Sequence, residues 1–386
     1  MTKEICDFEL CTGCQACVSI CPTGCVTAAV DNEGFIRPVV DSDQCIDCNL
    51  CRKTCPINNR VLNKSLPTKG YLFQTLSLNN KQECASGGAF QDICRAFLGD
   101  CSDVAIFGVG LDSENRARFA RVDSVAEVRT FSGSKYVQAE IGDIYKDVEN
   151  CLRSCKHVVF TGTPCQVDGL RHYLRRPYDK LLCIDLVCHG VGSPKVFERY
   201  VGYLERKYSS KVEQFQFTVK KGGWLHRRVL ARFANGKQYS RMAITLDDPY
   251  MTAFFSHVIM RPSCYSCRYT NLSRVGDLTI GDAWGVEKRK PKQYYREGVS
   301  LIIASTEKGE KTLRACGNLG RLEEVELADY IGSNPQLQEP IKPHPSRAQL
   351  MALATADDIP FDDFVDKLCY RSKLRRWVSE AKARFS

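Results

Sequence analysis

Apolar and polar positions along the chain change rhythm several times. Val26–Val30 and Ile36–Val40 are short β-type runs on either side of Asp31-Asn-Glu-Gly34, a pattern that predicts a hairpin. Asn58–Lys69 is polar with a proline and reads as a linker. From Gly70 onward, strand-like runs at Val104–Val109, Val158–Phe160 and Leu181–Val187 alternate with helical periodicity at Ala89–Leu98, Ile141–Ser154, Pro164–Leu174 and Lys195–Tyr208. That alternation predicts an α/β or α+β body. Near the end, Phe364, Leu368, Trp377, Val378, Ala381 and Phe385 recur close to helical spacing, with Lys367, Arg371, Lys373, Arg375, Arg376, Lys382 and Arg384 between them. Such a helix either docks with its basic face in water or meets a membrane surface or an acidic partner. The longest apolar stretches, such as Val104–Leu111, are too short to span a bilayer.

Cysteine changes this picture most. The 386 residues contain 22 cysteines, and Met1-Thr-Lys-Glu-Ile-Cys-Asp shows no apolar leader. An unexported chain of this kind points to the cytoplasm, with thiols used for metal rather than disulfides. Cys11-x-x-Cys14-x-x-Cys17-x-x-x-Cys21-Pro22 recurs 34 residues on as Cys45-x-x-Cys48-x-x-Cys51-x-x-x-Cys55-Pro56. This is the bacterial two-cluster ferredoxin run, in which the fourth cysteine of each repeat serves the other cluster. Cys11, Cys14, Cys17 and Cys55 are therefore expected to hold one 4Fe-4S cluster, and Cys45, Cys48, Cys51 and Cys21 the second. Zinc usually takes two C-x-x-C pairs, which fits the duplicated run less well. Cys6 and Cys25 fall outside the pattern and read as structural.

The formal charge is +9, which taken alone suggests a nucleic-acid partner. Each cubane with four thiolates carries roughly −2, so most of the basic excess balances cofactors. No helicase or nuclease motif accompanies the clusters, and no nucleic-acid partner is expected.

Four further cysteines stand where ligands collect. Cys165 follows a predicted strand at the first turn of a predicted helix, where the dipole favours a thiolate. Cys188 ends the strand Leu181–Val187, and Cys264 with Cys267 forms a C-x-x-C pair after Pro262. By spacing alone each can be an ordinary buried thiol, and zinc competes with iron–sulfur at a third site.

Ser86-Gly-Gly88, Gly133-Ser-Lys-Tyr136, Gly162-Thr-Pro-Cys-Gln166, Asp185-Leu-Val-Cys-His-Gly190, Arg261-Pro-Ser-Cys-Tyr-Ser-Cys267 and Gly281-Asp-Ala-Trp-Gly285 occur in that order. With these motifs the chain resembles the coenzyme F420 hydrogenase/dehydrogenase beta-subunit family, over roughly residues 4–345. The resemblance implies FAD and a third 4Fe-4S cluster held by Cys165, Cys188, Cys264 and Cys267. Ser86, Gly87 and Gly88 open a helix and suit a flavin pyrophosphate, or simply cap that helix. Ser134, Lys135 and Tyr136 are a second candidate contact, or a turn with a solvated lysine. Asp282 and Trp284 either line the flavin pocket or pack. His189 either orients a ligand or is a satisfied core histidine. Arg227, Arg228 and Arg232 near Trp224 either receive an anionic substrate or are solvated.

The expected architecture is multi-domain α+β, a bacterial-type two-cluster ferredoxin fold followed by a mixed α/β flavin-binding body. Its expected divisions are 1–60 for the ferredoxin, 70–150 and 151–345 for the body, and 346–386 for a helical tail. The expected activity is iron–sulfur flavoprotein oxidoreduction between 4Fe-4S clusters, FAD and a small-molecule redox substrate, such as coenzyme F420 or an organic metabolite. The alternative is an electron-transfer subunit that docks to a ferredoxin or a partner oxidoreductase and has no substrate of its own.

Overall fold

The computed structural model describes residues 3–59, 66–243 and 247–368. The expected C-terminal helix lies outside the described residues from position 369 on. The first module is built on the predicted hairpin, β1 (Val26–Val30) against β2 (Ile36–Val40), antiparallel with Val26 opposite Val40. Asp31 closes its turn by accepting from the amides of Glu33 and Phe35. One short helix lies within each cysteine run, at Ala16–Ser19 and Leu50–Thr54, and carries its third cysteine.

The body is organised around a second, larger sheet. Its strands are β3 (Lys69–Thr75), β4 (Val104–Leu111), β5 (Ala117–Val122), β6 (His157–Gly162), β7 (Leu181–Leu186), β11 (Leu278–Asp282), β12 (Ser300–Ala304) and β13 (Gly320–Glu326). Between them β8 (Val212–Val219), β9 (Arg228–Phe233) and β10 (Gln238–Met242) form a separate antiparallel sheet. The large sheet runs β13-β3-β12-β11-β7-β6-β4-β5. Its centre, β4, β6, β7 and β11, is parallel, and antiparallel strands close both edges.

Parallel strands covered on both faces need apolar side chains on both faces. Ala105, Phe107, Val158 and Phe160 accordingly face one buried cluster, while Val104, Ile106 and Val159 face the other. Each fully buried phenylalanine contributes about 2–3 kcal/mol at 25 cal/mol per Å². The helices Ile144–Arg153, Pro164–Leu174 and Pro194–Tyr208 cover the first face, and Ala89–Leu98 and Glu307–Cys316 the second. No break appears at residue 150, because β3 to β5 share one sheet with β6, β7 and β11 to β13. No helix among the described residues is long and apolar enough to cross a membrane.

The ferredoxin module is packed onto the first face. Ala16 and Phe35 belong to the same buried cluster as Tyr145 and Leu170. Its turn is held by Arg347, which donates to both carboxylate oxygens of Glu33 at 2.8 and 2.6 Å. Its end is held by Arg268, which donates to the Ile57 carbonyl, and by His172, whose Nε2 lies 2.8 Å from the Asn59 carbonyl.

Candidate redox site

The two cysteine runs fold alike because both use left-handed backbone at equivalent points. Gly13 and Asp47 have φ of 67° and 55°, and Gln15 and Asn49 have φ of 59° and 57°. These turns swing the first three sulfurs of each run around one hollow. Cys11, Cys14, Cys17 and Cys55 line one hollow, and Cys21, Cys45, Cys48 and Cys51 line the other. Cys55 thus lies with the first run and Cys21 with the second, the crossed placement that the repeat predicts. Each hollow also holds a fifth sulfur, Cys6 in the first and Cys25 in the second, where Cys21 and Cys25 sulfurs are 3.5 Å apart. The sequence pattern offers these two no place, because neither keeps the repeat spacing.

The body's four cysteines come from three separate segments. Cys165 is fixed at the start of Pro164–Leu174 by a reciprocal cap, in which Gln166 Oε1 accepts from the Thr163 amide at 3.0 Å. The Thr163 hydroxyl lies 3.1 Å from Cys165 Sγ. Cys188 follows the end of β7, where the Val187 amide still donates to Ile280. Cys264 and Cys267 lie on a tight turn after Arg261, whose amide donates to the Val191 carbonyl. A buried ion pair holds the loop beyond that turn against β7. Arg274 Nη2 donates to Asp185 Oδ1 at 2.8 Å, and the Val275 and Gly276 amides donate to Oδ2.

All four sulfurs line one cavity with Thr12, His189 and Arg261. Burial pushes the Cys165 thiol up to about 11 and the Cys264 thiol up to about 12, with neighbouring cysteines adding to the rise. Cys188 is raised further by burial and then by Cys264, Cys165 and Cys267. The helix start at Cys165 was expected to favour a thiolate, but desolvation outweighs it. Among the described residues, no three His, Cys, Asp or Glu side chains stand close enough together to hold a single metal ion; the four sulfurs share the cavity without closing on one point. The cavity adjoins the ferredoxin. The helix that begins with Cys165 passes Cys14 at Gly169, where a Cβ would lie 3.1 Å from Cys14 Sγ.

The candidate flavin residues divide into two groups. Around Ser86 the polar groups are committed to protein. The Ser86 hydroxyl donates to the Val299 carbonyl at 2.8 Å, and the Gly87 amide donates to Ser300 Oγ at 3.1 Å. A Cβ on Gly87 would sit 2.2 Å from the Phe73 carbonyl oxygen, so this glycine is required by β3 and β12. Gly88 caps the helix with φ of 83°, and Asp92 already supplies a carboxylate in the first turn. Lys135 donates to the Phe131 and Ser132 carbonyls, and burial draws it down to about 7. Ser134 is exposed and bonds the Tyr136 side chain.

Tyr136 and Asp282 behave differently. Asp282 ends β11 and accepts from Trp224 Nε1 at 3.1 Å and from Arg227 Nη1 at 3.0 Å. Trp224 and Trp284 stack with centroids 4.9 Å apart, and the Arg227 guanidinium lies over Trp284. Tyr136 packs on Phe254 and Phe255, which also contact the His189 ring next to Cys188. Arg227 is 3% exposed, yet its Nε has no partner among the described residues. A buried unmet donor costs about 1–3 kcal/mol, so this one suits an acceptor supplied by a ligand. A phosphate or flavin carbonyl fits that requirement. Arg228 is bonded to Ser240 and Arg232 is exposed on β9. His189 is bridged on both ring nitrogens, by Gln336 and His257, each at 3.0 Å.

Comparison with known proteins matches two stretches of the chain. Residues 10–59 match the model of the 4Fe-4S dicluster domain. Residues 155–330 match the model of the C terminus of the coenzyme F420 hydrogenase/dehydrogenase beta subunit. The F subunit of the F420H2 dehydrogenase of Methanosarcina mazei is 22% identical over 323 residues, covering 80% of this chain and 82% of that one. A chain of the F420-reducing NiFe hydrogenase complex from Methanosarcina barkeri superposes with a TM-score of 0.47 at 15% identity. That superposition covers 82% of this chain and 95% of the other.

Proposed function

We propose that this chain, which belongs to the coenzyme F420 hydrogenase/dehydrogenase beta-subunit family and carries an N-terminal 4Fe-4S dicluster domain, is a flavin-dependent oxidoreductase with a third cluster in its body. It is an iron–sulfur electron-transfer protein related to the subunits of F420-dependent redox complexes. The observation that carries the finer reading is the convergence of Cys165, Cys188, Cys264 and Cys267 on one cavity beside Cys14.

Cys165, Cys188, Cys264 and Cys267 would hold the third cluster, while Tyr136, Arg227, Asp282 and Trp284 would hold FAD. When bound, 4Fe-4S clusters pass single electrons, and flavin exchanges electrons in ones or twos. The protein's part is placement and charge. Arg227 Nε offers an acceptor-seeking donor, Asp282 fixes that guanidinium, and Trp224 stacked on Trp284 keeps water from the pair. Phe254 and Phe255 insulate the stretch between Tyr136 and Cys188. The substrate is then a small two-electron carrier such as coenzyme F420, whose reduced form appears in the name of the Methanosarcina mazei relative.

A second reading, an electron-transfer subunit without a substrate of its own, is favoured by the exposure of Cys48 and by the relative's being one subunit among several. Anaerobic purification followed by iron and flavin analysis tests the site. About twelve irons and one FAD per chain are expected from three 4Fe-4S clusters, and eight irons without flavin would remove the body's chemistry. Turnover of reduced deazaflavin by the isolated chain then separates enzyme from docking subunit.

A further inference from the structure

Arg261 is 1% exposed, and among the described residues it forms no ion pair with a carboxylate. Its neighbour Arg37 takes Asp31 at 2.8 Å. Leaving a guanidinium buried without a counter-charge costs several kcal/mol, more than its hydrogen bonds return. Those bonds all reach toward the ferredoxin. Nε donates to the Cys11 carbonyl at 2.8 Å, Nη1 to the Ile36 carbonyl at 3.0 Å, and Nη2 to Cys11 Sγ at 3.8 Å. The same side chain lines the cavity of the four body cysteines, and its own carbonyl accepts from the Cys264 amide. Sulfur from both sides acts on it, Cys11 from the ferredoxin and Cys264 from the body. The local fold makes room for it. Gly13 holds φ of 67°, and a Cβ there would lie 2.8 Å from Nη1.

We propose that Arg261 is a shared counter-ion, one positive charge that sets the reduction potentials of both the Cys11/14/17/55 cluster and the Cys165/188/264/267 cluster and couples them to each other. The inference rests on the third-cluster reading above. Adding an electron to either cluster adds one negative charge, with no bond made and no proton moved. A fixed cation within reach favours that charge on both. Once one cluster is reduced, the cation is partly neutralised for the other, so the second electron enters less readily. The cluster of Cys21, Cys45, Cys48 and Cys51 does not share this cation. Arg261 is thus a positioning and tuning residue at the junction between module and body.

Holoprotein and its Arg261→Gln and Arg261→Lys variants would be titrated anaerobically, with each reduced cluster followed by paramagnetic resonance. Arg261→Gln is expected to keep about twelve irons and to lower two of the three midpoints. The expected size is at least tenfold in each reduction equilibrium, or 59 mV for one electron. The third midpoint stays put. Arg261→Lys keeps the charge and restores most of the shift. Should the glutamine variant fail to fold, the wild type and the lysine variant still decide. The two coupled clusters must then titrate more broadly than the third, and whatever small shift remains in the lysine variant must be confined to those two. Twelve irons with unmoved midpoints, or equal movement of all three, overturn the role of Arg261. Eight irons in the wild type overturn the third-cluster reading itself.

Discussion

Gly13 and Asp47 occupy the same place in the two cysteine runs, with nearly the same left-handed backbone. Their surroundings have nothing in common. A Cβ on Gly13 would meet the Ile36 carbonyl at 2.7 Å, together with Gln138 and Arg261 side chains. Asp47 is exposed, and its carboxylate pairs with Lys3. The cysteines follow the same split. Cys11, Cys14 and Cys17 are 8% exposed and Cys55 7%, whereas Cys48 is open to solvent and Cys21, Cys45 and Cys51 are half-buried. One repeat has become an internal contact and its twin an outer terminal, so a single duplicated motif provides an inside and an outside end.

Alanine at the two equivalent turns should break this symmetry most strongly. Gly13→Ala combines left-handed strain of about 1–2 kcal/mol with overpacking of about 1–3 kcal/mol, so a loss near 3 kcal/mol is expected. Asp47→Ala brings no overpacking; it loses the easier left-handed backbone of Asp and the exposed pair with Lys3, about 1 kcal/mol together. Denaturant melts of the two holoproteins measure the difference, and equal losses would mean the body does not press on the first turn.

A smaller effect comes from the clamp at the module's end. His172 is raised to about 9, first by its hydrogen bond with Asp168, and its other nitrogen meets the Asn59 carbonyl. Its folded value lies above the ordinary 6.5, so its stabilisation is fully present below about pH 6.5 and lost as pH rises through 9. The size is on the order of 2–3 kcal/mol. His172→Gln should flatten the fall in melting temperature between pH 6.5 and 10, and an unchanged slope would count against the clamp.

The gentlest probe is a chelator. Iron at the exposed Cys21/45/48/51 site should be removed at least tenfold faster than iron at the buried site, a barrier difference of about 1.4 kcal/mol. Timed iron release, read by the loss of visible absorbance, shows two phases if the comparison holds and one if it fails.

Much of this was legible from local pattern. The hairpin, the crossed cysteine sets and the helices Ala89–Leu98 and Pro164–Leu174 follow from spacing that a short window contains. What local pattern misses is pairing at a distance. β12 and β13 are ordinary short runs, yet they take β3 between them more than two hundred residues away in the chain, while β4 enters the same sheet through β6. In sequence Arg227 is one of three arginines near Trp224 and Arg261 the first residue of a cysteine motif, and nothing in their neighbours tells that both are buried. The glycines at Gly87 and Gly88 signalled a special backbone correctly. Their cause is contact with β3, β12 and Asn80, a demand as local in space as a phosphate's and indistinguishable from it in sequence.

The grip of Arg347 on Glu33, far apart in the chain, also bears on how such a protein can change over generations. A ferredoxin held by docked side chains at its turn and its end owes its position to those contacts, not to the tether that joins it. Insertions between Asn59 and Thr68 should therefore drift freely among descendants. Exchanging the module for that of a distant cousin should fail unless Glu33, Gly13 and their counterparts on the body travel together.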